Sequence, residues 1–324
     1  MIPRSTVLRA AIVGSALILR ASWALAQDWP TKPVRLIVPF PAGGGTDLVA
    51  RLVATRLSAA IGKPIVVENR PGAGGTIGAA AIAKAPPDGY TFGIATSSTH
   101  PAAIALMKDV PYDSTTNFAP IVLIARTSFV LLGSPALPAS TIPELVAYAK
   151  LNPEKVSIAN VGTSTIAYLL TQQLKSLTGT EMLDVGYRGA APIYTDLMGN
   201  QIALFLDNPG ASTPLVEEKR LKAIAVTGAT LSLPTVPTFA QAGLQGFDHS
   251  FWYGFVAPAG TPPAIVSRIH TEVARYIHSE EGKKELISHS LEPAGDGPDA
   301  FARAMRTDVT QFREIAARLK IAPQ

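Results

Sequence analysis

Four short runs carry residue types suited to holding a small polar ligand. They are Phe40-Pro-Ala-Gly-Gly-Gly-Thr-Asp47, Asn69-Arg-Pro-Gly-Ala-Gly-Gly-Thr76, Val161-Gly-Thr-Ser-Thr165 and Gly186-Tyr-Arg-Gly-Ala190. Glycine lets a ligand approach the backbone closely, and unpaired N–H groups at a helix start attract anions. Residues 42–47 and 162–165 are the sharpest, and two such loops face to face would pinch a carboxylate between them. Each loop alone reads equally well as a plain strand-to-helix turn. The polar run Thr96-Ser-Ser-Thr-His100 ends a strand on the same side and adds Ser97. Arg188 can fork onto a carboxylate, or be a solvated loop charge. Asp207 and Asn208 either touch the ligand or start the turn at Pro209-Gly210. Phe40, Tyr168, Tyr187 and Trp252 are candidates to wall an apolar pocket, although aromatics more often fill cores.

Other chemistries are poorly supported. The dinucleotide fingerprint starting at Gly72 needs Gly where Ile77 stands, and Gly62-Lys63 is followed by Pro64, which excludes a P-loop. No His-Glu-x-x-His occurs, and Gly-x-Ser-x-Gly is absent beyond residue 26. With no cysteine there is no thiolate nucleophile, disulfide framework or Cys-bound zinc. No metal and no cofactor are implied. His270 and His278 read as surface residues, whereas His100 ends a strand on the cleft side. A Ser paired with His100 is the enzymatic alternative.

The elements that must position these runs follow one layout used twice. Strands are expected at 34–39, 64–68 and 90–95, with helices at 48–61 and 77–84 between them. Thr46 or Asp47 is the expected N-cap of the first helix, and Gly62 its C-terminal stop. The order returns as strands 156–160, 182–185 and 202–206, with helices 166–177, closed by Gly179, and 192–198. Strands alternating with helices at this spacing make βαβ units and parallel sheets. The apolar runs 121–132 and 251–256 are expected to be hinge strands. Helices at 264–277 and 298–319 close the chain. The fold class is α/β, two lobes facing a cleft. The first lobe is discontinuous, 27–125 with 250–324, and the second is 126–249.

The 324 residues carry a net charge of +4, and 47% are apolar, enough for a sizeable core. Residues 1–26 hold three Arg and no acid around an apolar run at 10–19, and end in Ala24-Leu25-Ala26. That is the pattern of a secretory signal cleaved after Ala26, too short to span a membrane. Its loss leaves 298 residues at +1. A nucleic-acid binder carries a basic excess, so nucleic acid is not an expected partner.

Trp29-Pro-Thr-Lys-Pro-Val-Arg-Leu-Ile-Val-Pro-Phe-Pro-Ala-Gly-Gly-Gly-Thr-Asp47 resembles the opening of the Bug receptors, the substrate-binding proteins of tripartite tricarboxylate transporters. The resemblance continues through Val67-Glu-Asn-Arg-Pro-Gly-Ala-Gly-Gly-Thr-Ile-Gly78, Pro87-Asp-Gly-Tyr-Thr91 and Pro111-Tyr-Asp113. It extends to Tyr187-Arg-Gly-Ala-Ala-Pro192 and Phe251-Trp-Tyr-Gly-Phe-Val-Ala-Pro-Ala-Gly-Thr-Pro-Pro263. It implies a type II periplasmic-binding fold and a non-catalytic receptor, expected as a monomer in the periplasm. The implied ligand is a small carboxylate, that is a di- or tricarboxylate, an amino acid or an aromatic acid. The implied partner is a membrane permease, with presentation to a membrane sensor as the alternative. By resemblance, Phe40, Ala42, Gly43, Gly44, Thr46 and Asp47 lie on one side of the ligand. Thr163, Ser164, Thr165, Tyr187, Arg188, Gly189, Ala190, Asp207 and Asn208 lie on the other. Two departures stand out. Tyr168 replaces a frequent His, and Ala103-Ile104 replaces a frequent Asn-Pro, which implies a less polar cleft rim.

Overall fold

The computed structural model describes residues 29–228 and 230–323, so the signal-like start at 1–26 lies outside the described residues. The chain opens with β1 (Val34–Val38), α1 (Gly45–Ile61), β2 (Ile65–Asn69), α2 (Thr76–Ala83) and β3 (Thr91–Thr96). A π-helical turn at Ser98–Ala102 and the short α3 (Ala103–Leu106) follow, then β4 (Phe118–Ser128), β5 (Val130–Gly133) and α4 (Ile142–Leu151). The opening order returns as β6 (Ser157–Asn160), α5 (Ile166–Thr178), β7 (Leu183–Gly186), α6 (Ala190–Met198) and β8 (Leu204–Asp207). The rest is α7 (Pro209–Glu217), β9 (Lys222–Val226), β10 (Ser250–Pro258), α8 (Pro263–His278), α9 (Glu280–Ser288), β11 (Glu292–Asp296) and α10 (Pro298–Arg318).

Two sheets result, each flanked by helices. The first has the order β11-β4-β10-β3-β1-β2 and the second β7-β6-β8-β5-β9. β1 is parallel to β2 and β3, and β6 is parallel to β7 and β8, so the expected repeat is a repeat of topology. Beside each third strand lies one antiparallel strand, β10 against β3 and β5 against β8. The apolar run at 121–132 is therefore not one hinge strand. It is β4 of the first sheet and β5 of the second, broken at Phe129.

That break is hydrogen-bonded to the return crossing. Phe129 N–H donates to Thr227 Oγ1 and Thr227 N–H to Phe129 O, both at 2.9 Å. The Thr227 hydroxyl donates to His249 O, and Ser250 pairs with Ser128 in the β10–β4 ladder. Both crossings thus run side by side.

Local chemistry explains the element ends. Gly62 stops α1 in the left-handed conformation at φ 70°, and Gly179 stops α5 at φ 59°. The start of α1 differs from expectation. Its N-cap is Gly44, with no side-chain capping bond. Asp47 sits at the third helical position and reaches back past the N-cap to accept from the Gly43 N–H at 3.0 Å. The edge strand β11, Glu-Pro-Ala-Gly-Asp, has no strand-like composition and takes its conformation from pairing with β4. The helices α4 and α9 start at side-chain caps, Thr141 accepting from Glu144 N–H at 3.3 Å and Ser279 from Gly282 N–H at 3.0 Å, whereas α7 starts at Pro209 with no side-chain cap.

Trp252 corrects one expectation. Side chains alternate along a strand, so Phe251 and Tyr253 share one face of β10 and Trp252 takes the other. Trp252 is fully buried, meets Phe301 edge-on at 5.1 Å and donates its indole N–H to Asp308 Oδ2 at 2.6 Å. It is core, not pocket wall. Phe301 also packs on Gly254, where any Cβ would collide with its ring. Phe301→Ala is expected to cost about 3–5 kcal/mol, read from urea unfolding of the mature chain. A loss below about 1 kcal/mol would show that this layer does not carry the first lobe.

Candidate functional site

The loops at the carboxyl ends of the parallel strands meet in one cavity between the sheets, as expected for open parallel sheets. Its volume is about 850 Å³, open mouth included. The first lobe contributes Phe40, Ala42, Gly44, Thr46 and Ser98, and the second Thr165, Arg188, Gly189, Ala190, Asp207 and Asn208. The apolar wall is Phe129, Val161, Ile166, Phe205, Phe251 and Tyr253, most of which the sequence reading missed. The signal for Phe251 and Tyr253 was there, in the period-two face opposite Trp252. Phe129 carried none, because only the chain crossing puts it at the cleft.

The 40–47 loop is held from below. Asp47 accepts from Gly43 N–H, from Arg51 Nε at 2.9 Å and from Asn69 Nδ2 at 2.9 Å. Burial works against its charge, but the Arg51, Gly43 and Asn69 donors hold its carboxyl below the usual range. Asn69 also donates to Phe40 O at 3.0 Å. Asp47 and Gly43 thus lie outside the cavity lining and shape the loop that lines it. The starts of α1 and α6 face the cavity, and neither has a side-chain capping bond. Their first-turn N–H groups have no partner within the helix. α5 is different, since Thr165 Oγ1 accepts from Tyr168 N–H at 3.3 Å.

Other expected site residues have different surroundings. Ser97 is buried and bonded to the β10 backbone at Trp252, and its neighbour Ser98 lines the cavity instead. Tyr187 donates to Asp196 Oδ2 at 2.6 Å and faces a second hollow that shares Phe40, Arg188 and Gly189 with the first. Tyr168 is half-buried and Thr163 exposed, and neither lines the main cavity. Ala103 is buried and Ile104 half-buried in α3, so this pair does not form the rim. His100 is fully buried against Phe118, with ring centroids 4.5 Å apart. Burial pushes its pKa down to about 3, and its Nε2 has no partner among the described residues. It does not reach the cavity, which removes the base from the enzymatic alternative.

The two lobes touch across the cleft. Ser164 Oγ donates to Ala73 O at 3.4 Å, and Ile166 N–H to Ser98 Oγ at 3.4 Å. A Cβ on Gly162 would lie 3.4 Å from Gly74 Cα. A Cβ on Gly74 would collide with Ser164 Oγ. Ser164 therefore belongs to the contact between lobes, beside the cavity.

Asp207 and Asn208 end β8 at the cavity. Tyr194 donates to Asp207 Oδ2, and Tyr253 to Asn208 Oδ1 at 3.3 Å. Asn208 Nδ2 donates to Ser128 O at 3.4 Å, tying this corner to the crossing. Burial pushes the Asp207 carboxyl up to about 6, against lowering by the Tyr194 and Asn208 bonds.

Two outcomes follow from this geometry. Gly74→Ala is expected to prop the lobes apart, seen as a larger radius of gyration in small-angle scattering. Adding Ser164→Ala should reverse part of it. An unchanged radius in the single variant would show that this contact does not set the closed arrangement. For Asp207, the folded pKa lies above the ordinary 3.8, so the folded state holds the proton more tightly. Its contribution to stability is present below about pH 4 and is lost as pH rises through about 6. Asp207→Asn should raise the melting temperature at pH 7.5 and lose that advantage by pH 4.5. A difference independent of pH would contradict this sign.

Comparison with known proteins agrees with this architecture. The family model described as tripartite tricarboxylate transporter family receptor matches residues 49–320. The structure of periplasmic binding protein BugD is 32% identical, with a TM-score of 0.87, over 91% of this chain and all of that one. An R. palustris protein solved with adipate is 36% identical, with a TM-score of 0.87, over 92% of this chain and all of that one. MatC from Rhodopseudomonas palustris, solved with bound malate, is 29% identical, with a TM-score of 0.84, over 89% of this chain and 99% of that one. The chain belongs to the tripartite tricarboxylate transporter receptors, the Bug family of solute-binding proteins, which are receptors and not enzymes.

Proposed function

We propose that this chain is an exported periplasmic receptor that captures a small carboxylate and delivers it to a tripartite tricarboxylate permease. The supporting observation is the cavity itself, where the uncapped starts of α1 and α6 and the unpaired Arg188 come together. Arg188 has no acidic partner within 4.0 Å among the described residues. An anion there gains N–H donors from both lobes at once. Only a ligand that binds better between closed lobes than open ones can drive closure, and one that bridges the lobes does so. Such a site needs no net charge on the protein, which fits a mature chain at +1. The adipate and malate held by two relatives are small carboxylates. Export rests on the basic, apolar start and the cleavage pattern ending at Ala26. The receptor acts as a monomer and does not bind nucleic acid.

The test is a thermal-shift panel of carboxylic acids, amines and sugars on the mature chain. A ligand at a hundred times its Kd adds about 2.7 kcal/mol, a rise of several degrees. At least one carboxylate is expected to do this, and Arg188→Ala to weaken it. Stabilisation by amines or sugars alone would sink the proposal.

A further inference from the structure

The cavity is polar in two different senses. One set of groups donates, namely the first-turn N–H groups of α1 and α6 and the Arg188 guanidinium. The other set accepts. The Tyr253 hydroxyl proton is committed to Asn208 Oδ1, and Asp207 holds the Tyr194 hydroxyl proton on Oδ2. Asp207 also accepts from the Asn208 backbone N–H, and Asp207 and Tyr253 line the cavity with acceptor oxygens whose remaining capacity is lone pairs. Asp207 is also a carboxylate without a counter-charge, since no Lys, Arg or His nitrogen lies within 4.0 Å of it among the described residues. A half-buried acid beside phenylalanines is costly unless paired. A simple dicarboxylate would bring a second anion to that acid, whereas an ammonium would neutralise it.

We propose that the cavity selects an amino carboxylate with an apolar side chain. Its carboxylate meets the helix starts and Arg188, its ammonium meets Asp207 and Tyr253 Oη, and its apolar part lies on Phe129, Phe205 and Phe251. This inference rests on the carboxylate reading above and narrows it. Tyr194 is a positioning residue, because its hydroxyl holds the Asp207 carboxylate through Oδ2. Burial also disfavours the charge on the Asp207 carboxyl, which a bound ammonium would offset.

The experiment is calorimetric titration of the mature wild-type chain at pH 7.5 with matched pairs. The pairs are phenylalanine against 3-phenylpropanoate and leucine against 4-methylpentanoate. Each pair differs only by the amine. The amine-bearing member is expected to bind tighter by on the order of tenfold, as one charge-assisted contact allows. In Asp207→Asn, checked for a cooperative melt, that ratio should collapse towards one. The wild-type comparison stands even where the variant fails to fold. Equal or tighter binding of the des-amino member overturns the inference. So does stabilisation by simple mono- or dicarboxylates with none by any amino carboxylate, and in that case the carboxylate reading survives. Binding of no carboxylate of either kind removes both.

Discussion

The hydrogen-bonded double crossing between the sheets is the constraint from which the rest of the site follows. Phe129 and Thr227 exchange backbone and side-chain bonds, Thr227 binds His249, and Ser250 pairs with Ser128. The two connections are therefore a short paired ribbon instead of two loose linkers. Each sheet receives an antiparallel pair of strands from this ribbon, β4 and β10 in the first and β5 and β9 in the second. β10 carries Phe251 and Tyr253 to the cavity, and Phe129 at the break joins them. The Phe129 and Phe251 rings meet edge-on at 5.8 Å, and the Phe251 and Tyr253 rings are 4.8 Å apart. The apolar wall is thus built on the double crossing, so a ligand resting on it touches the segment that joins the lobes.

Around that wall the protein separates rigid support from ligand contact. Asp47, Arg51 and Asn69 form a network beneath the first glycine loop, and none of them lines the cavity. The loop needs this support because its glycines, free to approach a ligand, are also free to wander. In the proposed anion site the donors are backbone groups whose positions are set by the starts of α1 and α6, together with the Arg188 guanidinium. On the other lobe, Tyr194 and Tyr253 hold Asp207 and Asn208. Both arrangements place the chemistry on groups locked by neighbours, which is what a selective site requires.

Much of this was legible in the residues. The strand–glycine loop–helix order at 34–98 and 156–208 named both βαβ halves. Gly62 and Gly179 marked helix ends because left-handed backbone is cheap for glycine. Local sequence misled where two roles share one residue type. Asp47 looks like an N-cap, but Gly44 takes that place and Asp47 binds Gly43, Arg51 and Asn69 beneath the loop. Trp252 sits in an aromatic run, but the strand pleat turns it into the core. His100 ends a cleft-side strand, yet the π-helical turn carries its ring inward against Phe118.

By itself the sequence determined the α/β class, the duplicated layout and the glycine loops. It could do so because these follow from local periodicity and backbone freedom. Only the tertiary structure decided that the apolar run at 121–132 serves two sheets. Only it brought Phe129, Asp207, Asn208 and Tyr253 into one corner, and left Asp207 at the cavity with no Lys, Arg or His nitrogen within 4.0 Å among the described residues. Those facts depend on pairings between strands far apart in the chain, as of Ser128 with Ser250 and of Val130 with Asp207. No local pattern encodes them, because a strand's partner is set by which apolar faces can be buried together.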